Sequence, residues 1–158
     1  SGNTGDVGGG IHFEQSNAQL YNVTIVNNTA QTGGGIQLKE NYSDISSEVH
    51  LENSIVWGND PQQIYFHEEG MPNYMSILHS NIEGGYDGEG NIDIDPLFNN
   101  PDNNDYSLNE YSLCIDSGIS DLDGDSVENI INYYVWMQLA VLEDMSLTYK
   151  EIIFHFAR

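Results

Sequence analysis

The sequence predicts an all-β fold in which short parallel strands stack as the successive coils of a β-solenoid. The stretch Val49–Asn59 (VHLENSIVWGN) can be laid on Ala18–Asn28 (AQLYNVTIVNN) and, more loosely, on Met75–Gly85 (MSILHSNIEGG). Gly8–Ile11 (GGGI) also recurs, about 25 residues later, as Gly33–Ile36. Similar stretches at a regular step are typical of solenoids, in which each coil buries its apolar face against its neighbours.

The composition of these stretches favours strands over helices. They are rich in Val, Ile, Thr and aromatic residues, which suit a pleated and half-buried surface, and they are separated by Gly, Asn, Asp and Ser. No helical apolar period runs through residues 1–125. A coil of this length accommodates three short strands and three turns, and successive coils stack about 4.8 Å apart.

The alignment also predicts which residues are neighbours in the stack. It superposes Leu20 on Leu51, Asn22 on Asn53, Ile25 on Val56, Asn28 on Asn59, Ser54 on Ser80 and Val56 on Ile82. Stacked Asn side chains can both donate to and accept from each other, so we interpret the abundant Asn residues as a structural ladder at the turns. Glycan acceptance and ligand contact are the alternatives.

Taken in order, the chain begins with a Gly-rich turn, in which glycine supplies positive φ or close backbone approach. Strands are then predicted at Ile11–Phe13, Leu20–Val26, from Ile36 to Lys39, at His50–Trp57 (as a pair), Gln63–His67 and Met75–Ile82. The polar stretch Asn41–Ser47 predicts a protruding loop, and Gly84–Gly90 a loop rich in glycine and acidic residues. Ile92–Phe98 (IDIDPLF) predicts an edge strand that closes the stack, with Leu97 and Phe98 over the core.

Five short motifs carry a resemblance to a known family. They are Asn53–Asn59 (NSIVWGN), Ser80–Gly85 (SNIEGG), Gly90–Phe98 (GNIDIDPLF), Asp105–Leu108 (DYSL) and Ser112–Gly118 (SLCIDSG). Over about residues 8–125 the chain resembles the choice-of-anchor Q domain family, in which such motifs occur in this order. The resemblance implies a right-handed parallel β-helix, similar to the pectate-lyase-like fold, in a secreted or cell-surface bacterial protein. Members of that family mostly lack an assigned activity.

The predicted organisation has three parts. About four β-helix coils occupy residues 1–98, a closing segment with an acidic turn occupies 99–125, and a tail occupies 126–158. The apolar residues of the tail fit a helical pattern, so it is either a helical cap or a non-native extension from a frame change, which we favour for Asn129–Arg158. No signal peptide is visible at the start, so we expect the chain to begin either after a cleavage site or, as we favour, within the coils of a longer protein.

The charge excludes several classes of partner. The formal net charge is −22, and Lys39, Lys150 and Arg158 are the three basic side chains. Nucleic acids and anionic membranes need Lys and Arg to offset phosphate charge, so neither is an expected partner, whereas divalent cations are favoured. The apolar run Tyr133–Leu142 is shorter than the roughly 20 residues that a membrane helix needs, so no membrane insertion is predicted.

The acidic stretch Asp121–Asp125 (DLDGD) is the candidate metal site. Ca²⁺ binds several oxygen ligands, and Asp121, Asp123 and Asp125 alternate in a Gly-containing turn. Glu128 comes too early to act as the distal ligand of a complete EF-hand loop, so the stretch supplies half of a site. A plain acidic turn is the alternative interpretation.

Two carboxylate pairs are candidates for glycosidase chemistry, Asp93 with Asp95 and Asp87 with Glu89. A glycosidase needs two carboxyl groups flanking the scissile bond. However, Asp residues on an edge strand also prevent edge-to-edge pairing, so we favour the structural interpretation for Asp93 and Asp95. The lone Cys114 lies between Leu113 and Ile115 and is expected to be a small buried hydrophobic residue.

The function that the sequence favours is a non-catalytic extracellular module for adhesion, glycan contact or a structural stalk. Aromatic residues that could stack on sugars are Tyr42, Trp57, Tyr65, Tyr74 and Tyr86. Packing in the coil core or at the turns is the alternative interpretation, which we favour for Trp57. The alternative is a polysaccharide lyase or glycoside hydrolase, because enzymes of these classes use the pectate-lyase-like fold. Fold alone does not decide between them.

Overall fold

The computed structural model describes residues 1–39, 46–67 and 72–120. These residues form an all-β structure, with a 3-10 helix at Pro101–Asn103. The strands are β1 Ile11–Glu14, β2 Asn17–Tyr21, β3 Thr24–Val26, β4 Ile36–Lys39, β5 Glu48–Glu52, β6 Ile55–Trp57, β7 Ile64–His67, β8 Tyr74–Leu78, β9 Asn81–Ile82, β10 Phe98–Asn100 and β11 Asp105–Leu108. In the described ranges, no helix is long and apolar enough to cross a membrane.

The first nine strands form three parallel sheets, and the chain visits the three sheets in turn. The strand orders are β1-β4-β7, β2-β5-β8 and β3-β6-β9, so every strand pairs with the strand three places later in the sequence. The pair β10-β11 is antiparallel. The prediction of an all-β fold built from parallel strands is therefore confirmed.

The register of the sheets pairs the residues that the sequence alignment superposed. Ile11 lies beside Ile36 in the first sheet, and Leu20 beside Leu51 in the second. In the third sheet Val56 lies between Ile25 and Ile82. A slip of one residue would turn every apolar side chain to the opposite face, so the apolar pattern itself holds this register.

The predicted strands Leu20–Val26 and Met75–Ile82 are each interrupted by a turn. Asn22 and His79 adopt positive φ angles of 57° and 46°, as does Asn53 at the equivalent turn, with φ of 50°. A left-handed residue ends the alternation of a strand, and Asn tolerates that conformation better than most side chains. Each predicted strand is therefore two shorter strands in two different sheets.

Apolar side chains from all three sheets meet in one core. Its buried members are Phe13, Ile36 and Leu38 from the first sheet, Val49, Leu51 and Ile77 from the second, and Ile25, Val56 and Ile82 from the third. Burying one such side chain fully stabilises a fold by roughly 1.5–3 kcal/mol. Three sheets of three short strands are therefore held mainly by side chains that point to one shared interior.

The predicted ladder contact between Asn28 and Asn59 is present, at the turn after the third sheet. Asn3 donates from Nδ2 to Asn28 Oδ1 at 2.9 Å, and Asn28 donates from Nδ2 to Asn59 Oδ1 at 2.9 Å. The backbone N–H groups of Asn3 and Asn28 donate to the same two acceptors. Asn59 in turn donates to Gln63 Oε1 at 2.7 Å. We call Asn3, Asn28, Asn59 and Gln63 the asparagine ladder.

Serine hydroxyl groups form a second ladder, between the second and third sheets. Ser54 Oγ accepts from Val23 N–H, and Ser80 Oγ accepts from Ser54 N–H, both at 3.1 Å. Asn91 Oδ1 continues the series by accepting from Ser80 N–H at 3.0 Å. Each turn amide thus finds a partner in the next layer, which a buried N–H group requires.

The Gly triplets bring backbone against backbone. A Cβ on Gly34 would overlap the backbone of Asp60, and a Cβ on Gly35 would overlap the carbonyl of Gln63. Gly8 and Gly33 have positive φ angles of 57° and 63°. Both uses of glycine that the sequence suggested are therefore found. The first glycine of each triplet has a positive φ angle, and the later glycines allow the close approach of another backbone segment.

The predicted edge strand Ile92–Phe98 is wrong as a regular strand. Ile92 makes an isolated parallel bridge to Asn81, whose side chain also bonds both backbone groups of Ile94. Pro96 has no N–H to donate, and Leu97 turns the chain with a positive φ of 51°. Leu97 is exposed, contrary to the prediction, whereas Phe98 packs beside a second buried cluster.

Cys114 is fully buried in that second cluster, with Ile55 and Leu108, as the sequence predicted. Its sulfur accepts a hydrogen bond from Asn81 Nδ2 at 3.0 Å. Burial raises the pKa of the thiol above its usual value, and the nearby Asp95 carboxylate adds to the increase. A thiol held neutral in this way is a packing group and a poor nucleophile.

Candidate functional site

The predicted calcium ligands Asp121, Asp123 and Asp125 lie outside the described residues, as do the tail 126–158 and Tyr42. Within residues 1–39, 46–67 and 72–120, no group of three or more His, Cys, Asp or Glu side chains is placed to hold a metal ion. The half-site at Asp121–Asp125 therefore remains a prediction.

The strongest candidate surface is the outer side of the second sheet. On β2, β5 and β8 the residues Ala18, Leu20, Val49, Leu51, Met75 and Ile77 belong to the core or pack against it. Side chains alternate between the two faces of a strand, so the intervening residues point outward. We define the polar sheet face by its first two rows, which are Asn17, Glu48 and Tyr74, then Gln19, His50 and Ser76.

A groove of about 480 Å³ runs across part of the polar sheet face. It is lined by Asn17, Ala18, Gln19, Glu48 and His50. Asn17 Oδ1 accepts a hydrogen bond from the N–H of Glu48 at 3.1 Å, which fixes the amide plane and leaves its NH₂ group free to donate outward. Tyr74, in the same row as Glu48, is 60% exposed.

The third row of this sheet holds the imidazole of His50 in place. Glu52 is only 5% exposed, and its Oε2 lies 3.0 Å from His50 Nε2. The ring of Tyr21 meets the His50 ring edge-on, with centroids 5.7 Å apart. His50 therefore has one ring nitrogen occupied and its ring plane restricted before any ligand arrives.

A second groove, of about 730 Å³, lies at the glycine-rich loop. It is lined by Gly84, Gly85, Tyr86, Asp87, Asn91, Ile92 and Asp93. Asp93 Oδ1 accepts from the N–H of Gly84 at 3.1 Å, so this carboxylate also ties the loop together. Burial, with a further contribution from the charge of Asp87, raises the pKa of the Tyr86 hydroxyl above its usual value.

The carboxylates that line this groove together are not the pairs that the sequence predicted. Asp87 and Asp93 line it together, whereas the predicted partners Asp95 and Glu89 do not. Asp95 instead caps its own turn by accepting from the N–H of Leu97 at 2.9 Å. The two-residue spacing that suggested Asp93 with Asp95 assumed a regular strand, and Ile92–Phe98 is not one.

The outer face of the first sheet carries the one Lys side chain of the described residues. Lys39 Nζ lies 3.5 Å from Glu14 Oε1, and His12 Nε2 lies 3.9 Å from Glu14 Oε2. Gln37, between His12 and Tyr65 in the register, is only 1% exposed. Because the central residue is covered and the charges face each other, this face offers a ligand less than the second sheet does.

Of the aromatic residues that the sequence suggested as sugar contacts, some pack against the protein and one is exposed. Trp57 packs against the cluster that contains Cys114, as the packing interpretation expected. Tyr65 is half-buried on the first sheet, and Tyr86 donates from its hydroxyl to the Met75 carbonyl at 3.4 Å. Tyr74 alone among the described candidates presents most of its ring to solvent.

Sequence reasoning did not identify Asn17, Gln19, Glu48 and Ser76 as members of one surface. The available signal was the polar alternation in β2 and β5, which places Asn17 and Gln19 beside Glu48 and His50 once the alignment of the two stretches is extended backwards by one residue. The looser alignment with the third stretch, extended in the same way, also places Tyr74 beside Glu48 and Ser76 beside His50. Which of these side chains are exposed, and that some of them line a groove, came only from the structure.

Comparison of the chain with known protein families, with curated proteins and with solved structures gives no match in any of the three. The choice-of-anchor Q resemblance therefore remains a prediction from five short motifs.

Proposed function

We propose that the protein is a right-handed parallel β-helix module of about four coils that contacts glycans without cleaving them, at the cell surface or outside the cell. The chain visits three parallel sheets in turn, which is the path of a β-helix. Parallel crossovers are almost always right-handed, which supports the proposed hand. The extracellular location follows from the resemblance to secreted choice-of-anchor Q proteins.

The polar sheet face is the observation that carries glycan contact. Sugars present hydroxyl groups in a plane and an apolar ring face, so their sites combine planar hydrogen-bonding side chains with an exposed aromatic ring. Asn17, Gln19 and Glu48 supply the first, and Tyr74 supplies the second. These side chains project from adjacent strands of one sheet, a rigid support that requires little ordering when a ligand binds.

Calorimetric titration with neutral oligosaccharides tests this proposal. Tyr74→Ala should weaken binding about tenfold, because it removes an exposed stacking ring. Tyr111→Ala is the matched control, since Tyr111 is 75% exposed outside this face and should leave the affinity unchanged. An equal effect of both substitutions would contradict the polar sheet face as the site. If no oligosaccharide binds, the structural stalk becomes the better account.

A glycoside hydrolase is the second candidate, and the loop groove favours it. Asp87 and Asp93 line one groove beside Tyr86, so two carboxylates are available in a space that could take a sugar. Measuring new reducing ends from polysaccharides, with and without Ca²⁺, tests it. Cleavage that Asp93→Asn abolishes, while Asp95→Asn leaves it intact, would replace the non-catalytic proposal.

Loss of binding on chelation would support the predicted site at Asp121–Asp125.

A further inference from the structure

We infer that the polar sheet face selects amino sugars, taking the ammonium group of a cationic oligosaccharide at Glu48 and rejecting uronate polymers. This inference rests on the proposed glycan contact and names the ligand class for the same surface. It follows from the placement of charge on the second sheet, whose three strands contain two glutamates, one histidine and no Lys or Arg.

Glu48 is the charge that a ligand would meet. It lies on the central strand, exposed, and lines the groove with Asn17 and Gln19. No described residue pairs with its carboxylate, and the bond to the side chain of Asn17 is donated by the backbone N–H of Glu48. A free carboxylate in a groove of neutral amides is suited to a charge-assisted hydrogen bond from an ammonium group.

The neighbours of Glu48 favour a cation further. Tyr74 is its register partner on one side, and most of that ring is exposed. The face of a tyrosine ring attracts an ammonium group and also stacks on the apolar face of a sugar. Asn17, the register partner on the other side, can donate from its NH₂ group to an adjacent sugar hydroxyl.

The rest of the face offers the carboxylate of an anionic sugar neutral amide and hydroxyl donors but no Lys or Arg side chain. The imidazole of His50 is already engaged, because its Nε2 lies 3.0 Å from the buried carboxylate of Glu52. A uronate would therefore meet the Glu48 carboxylate without a compensating cation, and the net charge of −22 repels it at longer range.

The test uses three short oligosaccharides of matched length, which are glucosamine, N-acetylglucosamine and galacturonate oligomers. Affinities are measured by calorimetry at a pH where the glucosamine ammonium group is charged. We expect the glucosamine oligomer to bind about tenfold more tightly than the neutral one, as one charge-assisted contact allows, and the galacturonate not to bind.

Charge-matched variants separate a site from general attraction between an acidic protein and a cation. Glu48→Gln should remove the preference for glucosamine over its N-acetylated form. Glu89→Gln makes the same charge change at an exposed position in the glycine-rich loop and should keep that preference. An equal effect of both variants would overturn the inference and indicate diffuse attraction.

Failure of this inference differs from failure of the proposed function. If the neutral oligomer binds as tightly as the charged one, glycan contact stands and the amino-sugar selection is wrong. If no oligomer binds, both are wrong. Binding of galacturonate at least as tightly as glucosamine would also overturn the selection, whatever the effect of Glu48→Gln.

Discussion

The asparagine ladder and the polar sheet face are both polar regions of the same stack, yet their side chains have different partners. In the ladder, Asn28 and Asn59 are buried and bond to each other, to backbone and to Gln63. On the sheet face, Glu48 and Tyr74 are exposed, and the groove between the side chains is open. Polar composition alone therefore does not indicate a binding surface, and the hydrogen bonds already made decide which residues remain available.

The largest effect on stability is expected from breaking the ladder at its centre. Asn59→Ala removes the acceptor for Asn28 and the donor to the carbonyls of Ile25 and Trp57. Because buried groups would be left without partners, we expect a loss of about 3 kcal/mol in the free energy of unfolding. Urea denaturation measures it, and an unchanged midpoint would show that the ladder does not support the fold.

A smaller loss is expected at the turn where Asn53 meets the closing segment. Its side chain donates to the Ile119 carbonyl at 2.7 Å and accepts from the Ile119 N–H at 2.9 Å. Asn53→Ala should cost about 2 kcal/mol, because it removes both bonds and places Ala at a positive φ. Asn53→Gly separates the two causes, since glycine relieves the backbone strain alone and should recover part of the loss.

The serine ladder should matter less than the asparagine ladder, because each hydroxyl holds fewer partners. Ser80 Oγ accepts from Ser54 N–H and donates to the Leu78 carbonyl at 2.8 Å. Ser80→Ala should lower the free energy of unfolding by about 1 kcal/mol. A loss as large as that of Asn59→Ala would show that the number of hydrogen bonds per side chain does not predict how much each residue contributes to stability.

The smallest effect on stability is expected on the polar sheet face. Glu48→Gln should change the free energy of unfolding by less than about 0.5 kcal/mol, because the side chain is exposed. The bond to Asn17 Oδ1 is donated by the backbone N–H of residue 48, which the substitution keeps. The same variant is the one expected to change ligand preference. A large loss of stability would show that Glu48 supports the fold, as Asn59 is expected to do. It would contradict the contrast drawn between the two regions.

Much of the architecture could be predicted because stretches of similar sequence pair with each other as parallel strands. Leu20 with Leu51 and Asn28 with Asn59 were paired from the sequence, and the structure places each pair side by side. The failures fall where a single residue interrupts the pattern. Asn22 and His79 turn the chain within predicted strands, and Pro96 with Leu97 ends the predicted edge strand. Apolar periodicity averages over several residues and does not locate such breaks.

The sequence by itself determined the strand content, the pairing of the similar stretches, the buried position of Cys114 and the strongly acidic charge. These follow from local composition and from residues that recur in the same order. The tertiary structure alone decided that Asp87 shares a groove with Asp93. It also decided that the side chains of Glu48 and Tyr74, in the same row as Asn17, remain exposed to solvent. Such neighbours come from different layers of the stack, and their distances and burial depend on how the turns place one layer upon the next.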